Sequence, residues 1–294
     1  MAGAFGGVRI GIVGDGVVGG ALRAWFEASG ADARSYDPPK GLRDQSAIER
    51  ADVVFVCVPT PYAPRLGFDP RYLMDAVSAI GGGKLVVIKS TVRPGTTDRL
   101  QRQFPQHRFM FNPEFLREAT AVADMRSPNR QIVGCTEQSA AEAELVLGLL
   151  PAAPLSCVCG AREAEMTKYV ANSFLAVKVS YFNEVYDVCQ RMGIDFELVR
   201  DLAVADPRIG RSHSDVLDGG YRGYGGKCLP KDSKALIDLA EDAEAGMLVL
   251  RAADAVNAAL VGQKQPDAPP ARVASEMDEP AAAAWRSDTG RQAA

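Results

Sequence analysis

The run VRIGIV (residues 8–13), followed by GDGVVGG and the helix-like ALRAWFEASG, constrains this chain more than any other stretch. A short apolar strand, a glycine turn and a helix in that order make a βα unit, in which Gly14, Gly16 and Gly19 fill the pattern GxGxxG. The first glycine permits the tight turn, the second lets the backbone approach a pyrophosphate, and the third lets the helix pack on the strand. The phosphates then sit at the helix N-terminus, where free amides and the helix dipole favour anions. Asp15, Val17 and Val18 complete the loop. A second strand, residues 33–36, ends at Asp37, where a carboxylate can accept from the adenosine ribose hydroxyls and repel a ribose phosphate. The pattern predicts NAD rather than NADP.

Further strands are predicted at 52–58 (DVVFVCV), 84–89 (KLVVIK), 108–111 and 131–133, with helical or loop segments between them. Near-continuous Val/Ile runs mark strands buried on both faces. The fold class expected is α/β, with an N-terminal Rossmann-like doubly wound sheet over residues 1–160 followed by an all-α domain with long helices. Ligands in such sheets bind beyond the carboxyl ends of the strands. There the sequence places PTP with Thr60, STVRPGTT with Thr91, and NPEFLREA with Glu114. Each could be an ordinary loop; falling on one edge of the sheet, they form a candidate active-site rim.

From Ala161 the periodicity becomes helical over about thirty residues, AREAEMTKYVANSFLAVKVSYFNEVYDVCQRMG. Lys168 and Asn172 are four apart and share a face, with Glu165 three residues before the lysine. A lysine and an asparagine aimed into a cleft suit stabilisation of a developing alkoxide; on a solvated face they would do nothing. A shorter helix is expected at 196–204, then the turn DPRIG with Arg208, then GYGGKCLPKD, then one more helical stretch to residue 262. In GYGGKCLPKD the glycines let a bulky substrate reach the thiol of Cys228, and cationic neighbours would favour the thiolate. The alternative is a glycine turn with a buried, inert cysteine. Residues 161–262 are read as a helical central domain and 263–294, rich in Ala and Pro and including Trp285, as a disordered tail.

Composition narrows the chemistry. A net charge of -4 carries no basic footprint, which argues against nucleic acid and anionic membranes as partners. The six cysteines are scattered and read as reduced thiols in a cytoplasmic protein, and a lone CxC at Cys157 and Cys159 with only two histidines in the chain argues against a metal site. Acid and base work then falls mainly to Lys, Asp, Glu or Cys. The start MAGAFGG lacks the features of a signal peptide, and no apolar run reaches about 18 residues.

Taken together, GDGVVG, PTP, KSTVRPGTT, NPEFLREATAV, EAEMTKYVANSFLA, DPRIG and GYGGKCLPKD resemble, in order and spacing, the UDP-glucose/GDP-mannose dehydrogenase family. The resemblance implies NAD-dependent oxidation of a nucleotide sugar's primary alcohol to a carboxylate by two successive hydride transfers. It makes Cys228 the nucleophile of a thiohemiacetal and then a thioester, Lys168 the oxyanion stabiliser with Asn172 beside it, and Asp232 a group that positions or activates water. It assigns Glu114 to thioester hydrolysis, sets Thr91 beside the chemistry and the cofactor, and makes Glu118 a nicotinamide-side contact. Phe115, Leu116, Arg117, Arg208, Tyr224, Gly225 and Gly226 match sugar-nucleotide positions.

The sequence departs from the family's pattern at Val17, often Tyr, and at Ala119, often Gly. Family members also continue into a second Rossmann-like domain that grips the nucleotide base, for which a separate chain is one conceivable source here. Two other readings stand beside this one: a two-electron hydroxyacid dehydrogenase, which also pairs a Lys with an Asn four residues on, and a non-catalytic NAD-binding protein. A simple alcohol oxidation needs no thiol, so Cys228 argues against the former. The apolar faces expected at 168–191 and 236–260 exceed what one sheet can cover and predict a homodimer.

Overall fold

The computed structural model describes residues 7–217 and 220–261. Seven strands, β1 (Ile10–Val13), β2 (Ala33–Tyr36), β3 (Val53–Val56), β4 (Leu85–Ile88), β5 (Arg108–Phe111), β6 (Arg130–Cys135) and β7 (Leu155–Gly160), form one sheet in the order β2-β1-β3-β4-β5-β6-β7. The chain passes from β1 to β2 on one side and returns to β3 on the other, so the topological switch lies between β1 and β3, where open α/β sheets bind their ligands. β1 to β5 are parallel. β6 runs antiparallel to β5, pairing Phe111 with Gly134, and β7 runs parallel to β6.

The hydrophobic runs explain the layers. β3 (VVFV) and β4 (LVVI) are buried at every residue because helices cover both faces. One face packs Ile10, Ile12, Phe55 and Val87 against Leu22 and Phe26 of α1 (Val17–Ala28), and the other packs Val54, Val56, Val86 and Ile88 against Ile48, Leu73, Val77 and Leu100. Those last residues belong to α2 (Gln45–Arg50), α3 (Arg71–Ser78) and α4 (Thr96–Gln103). Two short helices, α5 (Ala121–Arg126) and α6 (Ala143–Leu149), complete the cover. The strand β7 was not among the predicted ones. It is an edge strand and mostly exposed, so its sequence LSCVCG needs no apolar run.

Sheet gives way to helix at Gly160, after which α7 runs Ala161–Met192 without a break. Gly134 makes this junction possible: a Cβ there would lie 2.5 Å from that of Ala164, in the first turn of α7. α8 (Phe196–Val204) starts as predicted, with the Asp195 carboxylate accepting from the amides of Glu197 and Leu198 as its N-cap. The last helical stretch, expected to be continuous, is two helices, α9 (Leu229–Asp242) and α10 (Leu248–Val261). Between them Glu244 (φ 56°) and Met247 (φ 39°) adopt left-handed backbone, which ends a right-handed helix.

The chain divides into two compact units, one taking it up to Val177 and again over Gly225–Asp254, the other Lys178–Tyr224 and the chain from Ala255. The second unit has its own core of Phe182, Cys189, Phe196 and Val216. No helix among the described residues is long and apolar enough to cross a membrane. The tail expected at 263–294 lies outside the described residues.

Candidate active site

The glycine loop has the shape its spacing requires. Gly14 has φ 90°, and a Cβ on it would come within 2.7 Å of the Cys57 carbonyl oxygen; one on Gly19 would come within 1.9 Å of the Gly14 oxygen. Above Gly16, by contrast, a Cβ would meet nothing within 4 Å, which leaves the loop open on the ligand side. Gly16 caps α1 with no side chain and no acid occupies the first turn, so the first amides are available to an anion. Val17 is exposed there, Val18 half-buried and Thr60 buried beyond β3. At the end of β2 the Asp37 carboxylate accepts from the Asp15 amide (2.7 Å), while the buried Asp15 carboxylate accepts from Arg23 Nε (3.0 Å) and Ser35 Oγ (3.2 Å). Asp37 is thereby fixed beside the loop. These residues fit a dinucleotide: open amides for the pyrophosphate and a fixed carboxylate for the ribose.

One face of α7 organises the rest of this unit. Lys168, 3% exposed, donates from Nζ to the Glu114 backbone oxygen (2.6 Å) and to its Oε1 (2.7 Å). One turn on, Asn172 Nδ2 donates to Asp232 Oδ2 (2.5 Å), whose other oxygen pairs with Lys231. Asp232 is fully buried and lies in the first turn of α9, and Cys228 is that helix's N-cap residue. The lysine, the asparagine, two carboxylates and the thiol thus belong to one compact unit, with Lys168–Glu114 and Asn172–Asp232–Lys231 as two bonded sets.

Burial pushes the Glu114 carboxyl upward, but Lys168, the Leu116 amide (2.9 Å) and Lys89 more than offset it and hold the group below its ordinary value. Glu114 is therefore ionised at neutral pH. Cys228 is exposed as a residue, yet partial desolvation of its sulfur raises the thiol, with Lys168 and Lys231 acting against the rise and Glu114 and Asp232 adding to it. At rest the sulfur is mostly protonated, and it would be activated by whatever displaces those carboxylates or adds positive charge.

The remaining predicted positions are less uniform. Thr91 is half-buried in the loop after β4, which Ser90 ties to the loop after β3 through its bond to the Val58 oxygen (2.7 Å). The Phe115 ring lies 3.7 Å under the Arg130 guanidinium and 5.6 Å from Lys168 Nζ. Leu116 packs on the core, Arg117 is held outward by Asp124 (2.8 Å), and Glu118 pairs with Lys227 (3.3 Å) on the surface. Gly225 and Gly226 belong to the unit of the thiol, Gly226 with φ 72°. Arg208 and Tyr224 belong to the other unit: Arg208 pairs with Asp206 on the surface, and Tyr224 is buried with its backbone bracketed by Asn257 (2.6 and 3.0 Å).

Sequence reasoning did not single out Lys89 or Asn112. Lys89, 4% exposed at the end of β4, donates to Asn112 Oδ1 (2.5 Å), and Asn112 Nδ2 donates to the Ile132 oxygen (2.7 Å). The pair holds the strand end from which Glu114 projects. Burial lowers the Lys89 ammonium, while Cys57 and Glu114 favour its charge. The available signal was a lysine directly ending an apolar strand, where burial on both sides leaves it no route to water.

The fold and the cradle define a dinucleotide-binding α/β protein, with a thiol, a buried lysine and two carboxylates assembled in the same unit. Models of the UDP-glucose/GDP-mannose dehydrogenase family match residues 42–147 as its NAD binding domain and 162–259 as its central domain, and the chain belongs to that family. Among curated proteins, it is 38% identical over 224 residues to a UDP-glucose 6-dehydrogenase of Pseudomonas aeruginosa, covering 71% of this chain and 49% of that one. A similar match, 37% over 209 residues, is to a UDP-glucose 6-dehydrogenase of Bacillus subtilis, with 67% and 44% covered. The chain spans about half the length of these relatives. A solved UDP-glucose dehydrogenase from the archaeon Pyrobaculum islandicum superposes with a TM-score of 0.75 at 30% identity, covering 86% of this chain and 68% of that one.

Proposed function

We propose that this chain carries out the NAD-dependent oxidation of a nucleotide sugar's primary alcohol to the carboxylate, through a thiohemiacetal and a thioester on Cys228. The observation that carries the reading is Cys228 at the head of α9, in the same unit as the Lys168–Glu114 and Asn172–Asp232 pairs. Bound NAD supplies the hydride acceptor for each of the two oxidations. Lys168 and Asn172 present N–H donors to the oxygen that becomes an alkoxide, the role for which buried, pre-aligned donors are effective. The Cys228 sulfur adds to the aldehyde carbon, and loss of the second hydride leaves an acyl–sulfur bond. Water then displaces the thiol, giving the carboxylic acid. Glu114, ionised by its partners, can take the water's proton, and Asp232, fixed by Asn172 and Lys231, can orient that water. A free thiol is needed throughout, which suits a reducing, cytoplasmic setting.

A screen of nucleotide sugars with NADH absorbance as readout tests the reading. NADH formation with a UDP-hexose is expected; no turnover with any nucleotide sugar, by the chain alone or supplemented with the base-gripping half of a relative, would overturn it. NAD should bind more tightly than NADP, because Asp37 would lie against a ribose phosphate. Calorimetry decides this, and tighter NADP binding would reject the Asp37 assignment.

The reading also includes a homodimer. In the first unit Val170, Phe174, Leu248 and Val249 are exposed, with Leu248 77% accessible, and in the second unit Tyr181, Val188, Met192 and Leu202 are exposed. Apolar helix surface on this scale favours a second copy of the chain. Sedimentation at micromolar concentration is expected to give twice the chain mass of 31.4 kDa; a monomer would count against it.

A further inference from the structure

One acid on the buried face of α7 has no part in the chemistry above. Glu165 is fully buried, one turn before Lys168. Its Oε1 accepts from the Thr97 amide (2.8 Å) and hydroxyl (2.7 Å), and its Oε2 from the Gly95 amide (2.5 Å). Those amides open α4, whose N-cap is Gly95 and offers no side chain of its own. A helix start needs such an acceptor, and here a different helix supplies it. Glu165, Lys168 and Asn172 share one helical face. Each grips a different segment: Glu165 the loop that runs from Thr91 into α4, Lys168 the NPEF loop at Glu114, Asn172 the α9 turn at Asp232.

We propose that Glu165 is a positioning residue for the proposed oxidation: by capping α4 from the catalytic helix, it fixes where Lys168 and Asn172 stand relative to the loop bearing Thr91. The inference rests on the functional reading above. An ionised carboxylate accepts all three bonds. A protonated carboxyl, or an amide, turns part of that acceptor into a donor facing backbone N–H groups, and the dock weakens.

Burial pushes the Glu165 carboxyl up to about 7, with the Thr97 and Gly95 donors acting against the rise and Asp98 adding to it. The charged and titratable groups around it are Asp98 of α4, paired with Arg162 of α7 (2.7 Å), and Tyr169 and Lys168 on α7 itself. Full capping is therefore reached as pH rises through neutrality. Stability runs the other way. With the folded value raised above its ordinary 4.5, this group's contribution is fully present below about 4.5 and is lost as pH rises through about 7. A residue that only held the fold together would not show activity and stability moving in opposite directions.

The test is Glu165→Gln in the full chain, with three readouts. Alkylation of Cys228 by iodoacetamide, followed by peptide mass spectrometry, reports the Lys168–Cys228 neighbourhood without needing turnover, so it stands even if no nucleotide sugar is oxidised. The wild-type rate divided by the variant rate should be near one at pH 5.5 and rise to about tenfold at pH 8.5, the size of one lost charge-assisted hydrogen bond. Over the same range the melting temperature of wild type minus that of the variant should fall. Where turnover is measured, the wild-type kcat/KM should carry an ionisation near pH 7 that Glu165→Gln removes. Should Glu165→Gln fail to fold, Thr97→Val removes one donor and leaves both amides, and the ionisation should move to higher pH. Equal alkylation rates at every pH, or an unmoved ionisation in Thr97→Val, would overturn the proposal.

Discussion

Cys228→Ser should lose steady-state carboxylate production by several orders of magnitude while binding NAD as the wild type does. Serine is a far weaker nucleophile than a thiolate, and an oxygen ester is hydrolysed more slowly than a thioester. The first hydride transfer does not need the sulfur, so slow aldehyde formation is expected to persist. The dinucleotide cradle is built from Gly14 to Asp37, remote in sequence from α9 and not bonded to Cys228. Rapid mixing with chromatographic separation of aldehyde and acid distinguishes the steps. Near wild-type acid production in the variant would refute the covalent role.

Lys168→Ala should behave differently, because removing the donor to the alkoxide harms both hydride transfers, by about a hundredfold or more. It also strands Glu114, whose side chain is only 10% exposed and whose carboxylate accepts from Lys168 and from the Leu116 amide. Breaking a buried pair by removing one partner costs about 3–5 kcal/mol. The pH dependence should change with it. In the wild type Glu114 is held below its ordinary value, so its contribution is present at neutral pH and lost only as the solution is acidified through that lowered value. Without Lys168, burial dominates, the carboxyl moves up, and the variant should lose stability as pH rises instead. Thermal melts between pH 4 and 8 check this, and adding Glu114→Gln to Lys168→Ala should restore much of the stability without restoring turnover.

Much of this arrangement was legible in the residues. The glycine spacing implied the tight turn and the close packing of Gly19 on Gly14, a local contact that leaves no room for a side chain. The approach of Gly14 to the Cys57 backbone, by contrast, joins the ends of two strands and had no local signal. The bounds of α7 followed from periodicity, and α8 spans the residues expected, with the Asp195 cap a finding of the structure. What was missed depends on partners distant in sequence. β7 is recruited by pairing with β6 and needs no apolar pattern of its own. The antiparallel turn of β6 against β5 leaves no mark in the Gln131–Val133 run. The break between α9 and α10 had one signal, Gly246 in DAEAGM, although the left-handed residues are Glu244 and Met247. Glu165 looked like one more acid on a helix, because nothing local says that its acceptors would meet Gly95 and Thr97.

The most direct measurement is a reaction run to completion with limiting nucleotide sugar and excess NAD, counting NADH by absorbance and acid by chromatography. Two NADH per carboxylate, with no free aldehyde accumulating, is the predicted result. One NADH per substrate, with a ketone as product, would contradict the thioester chemistry and put the hydroxyacid alternative in its place.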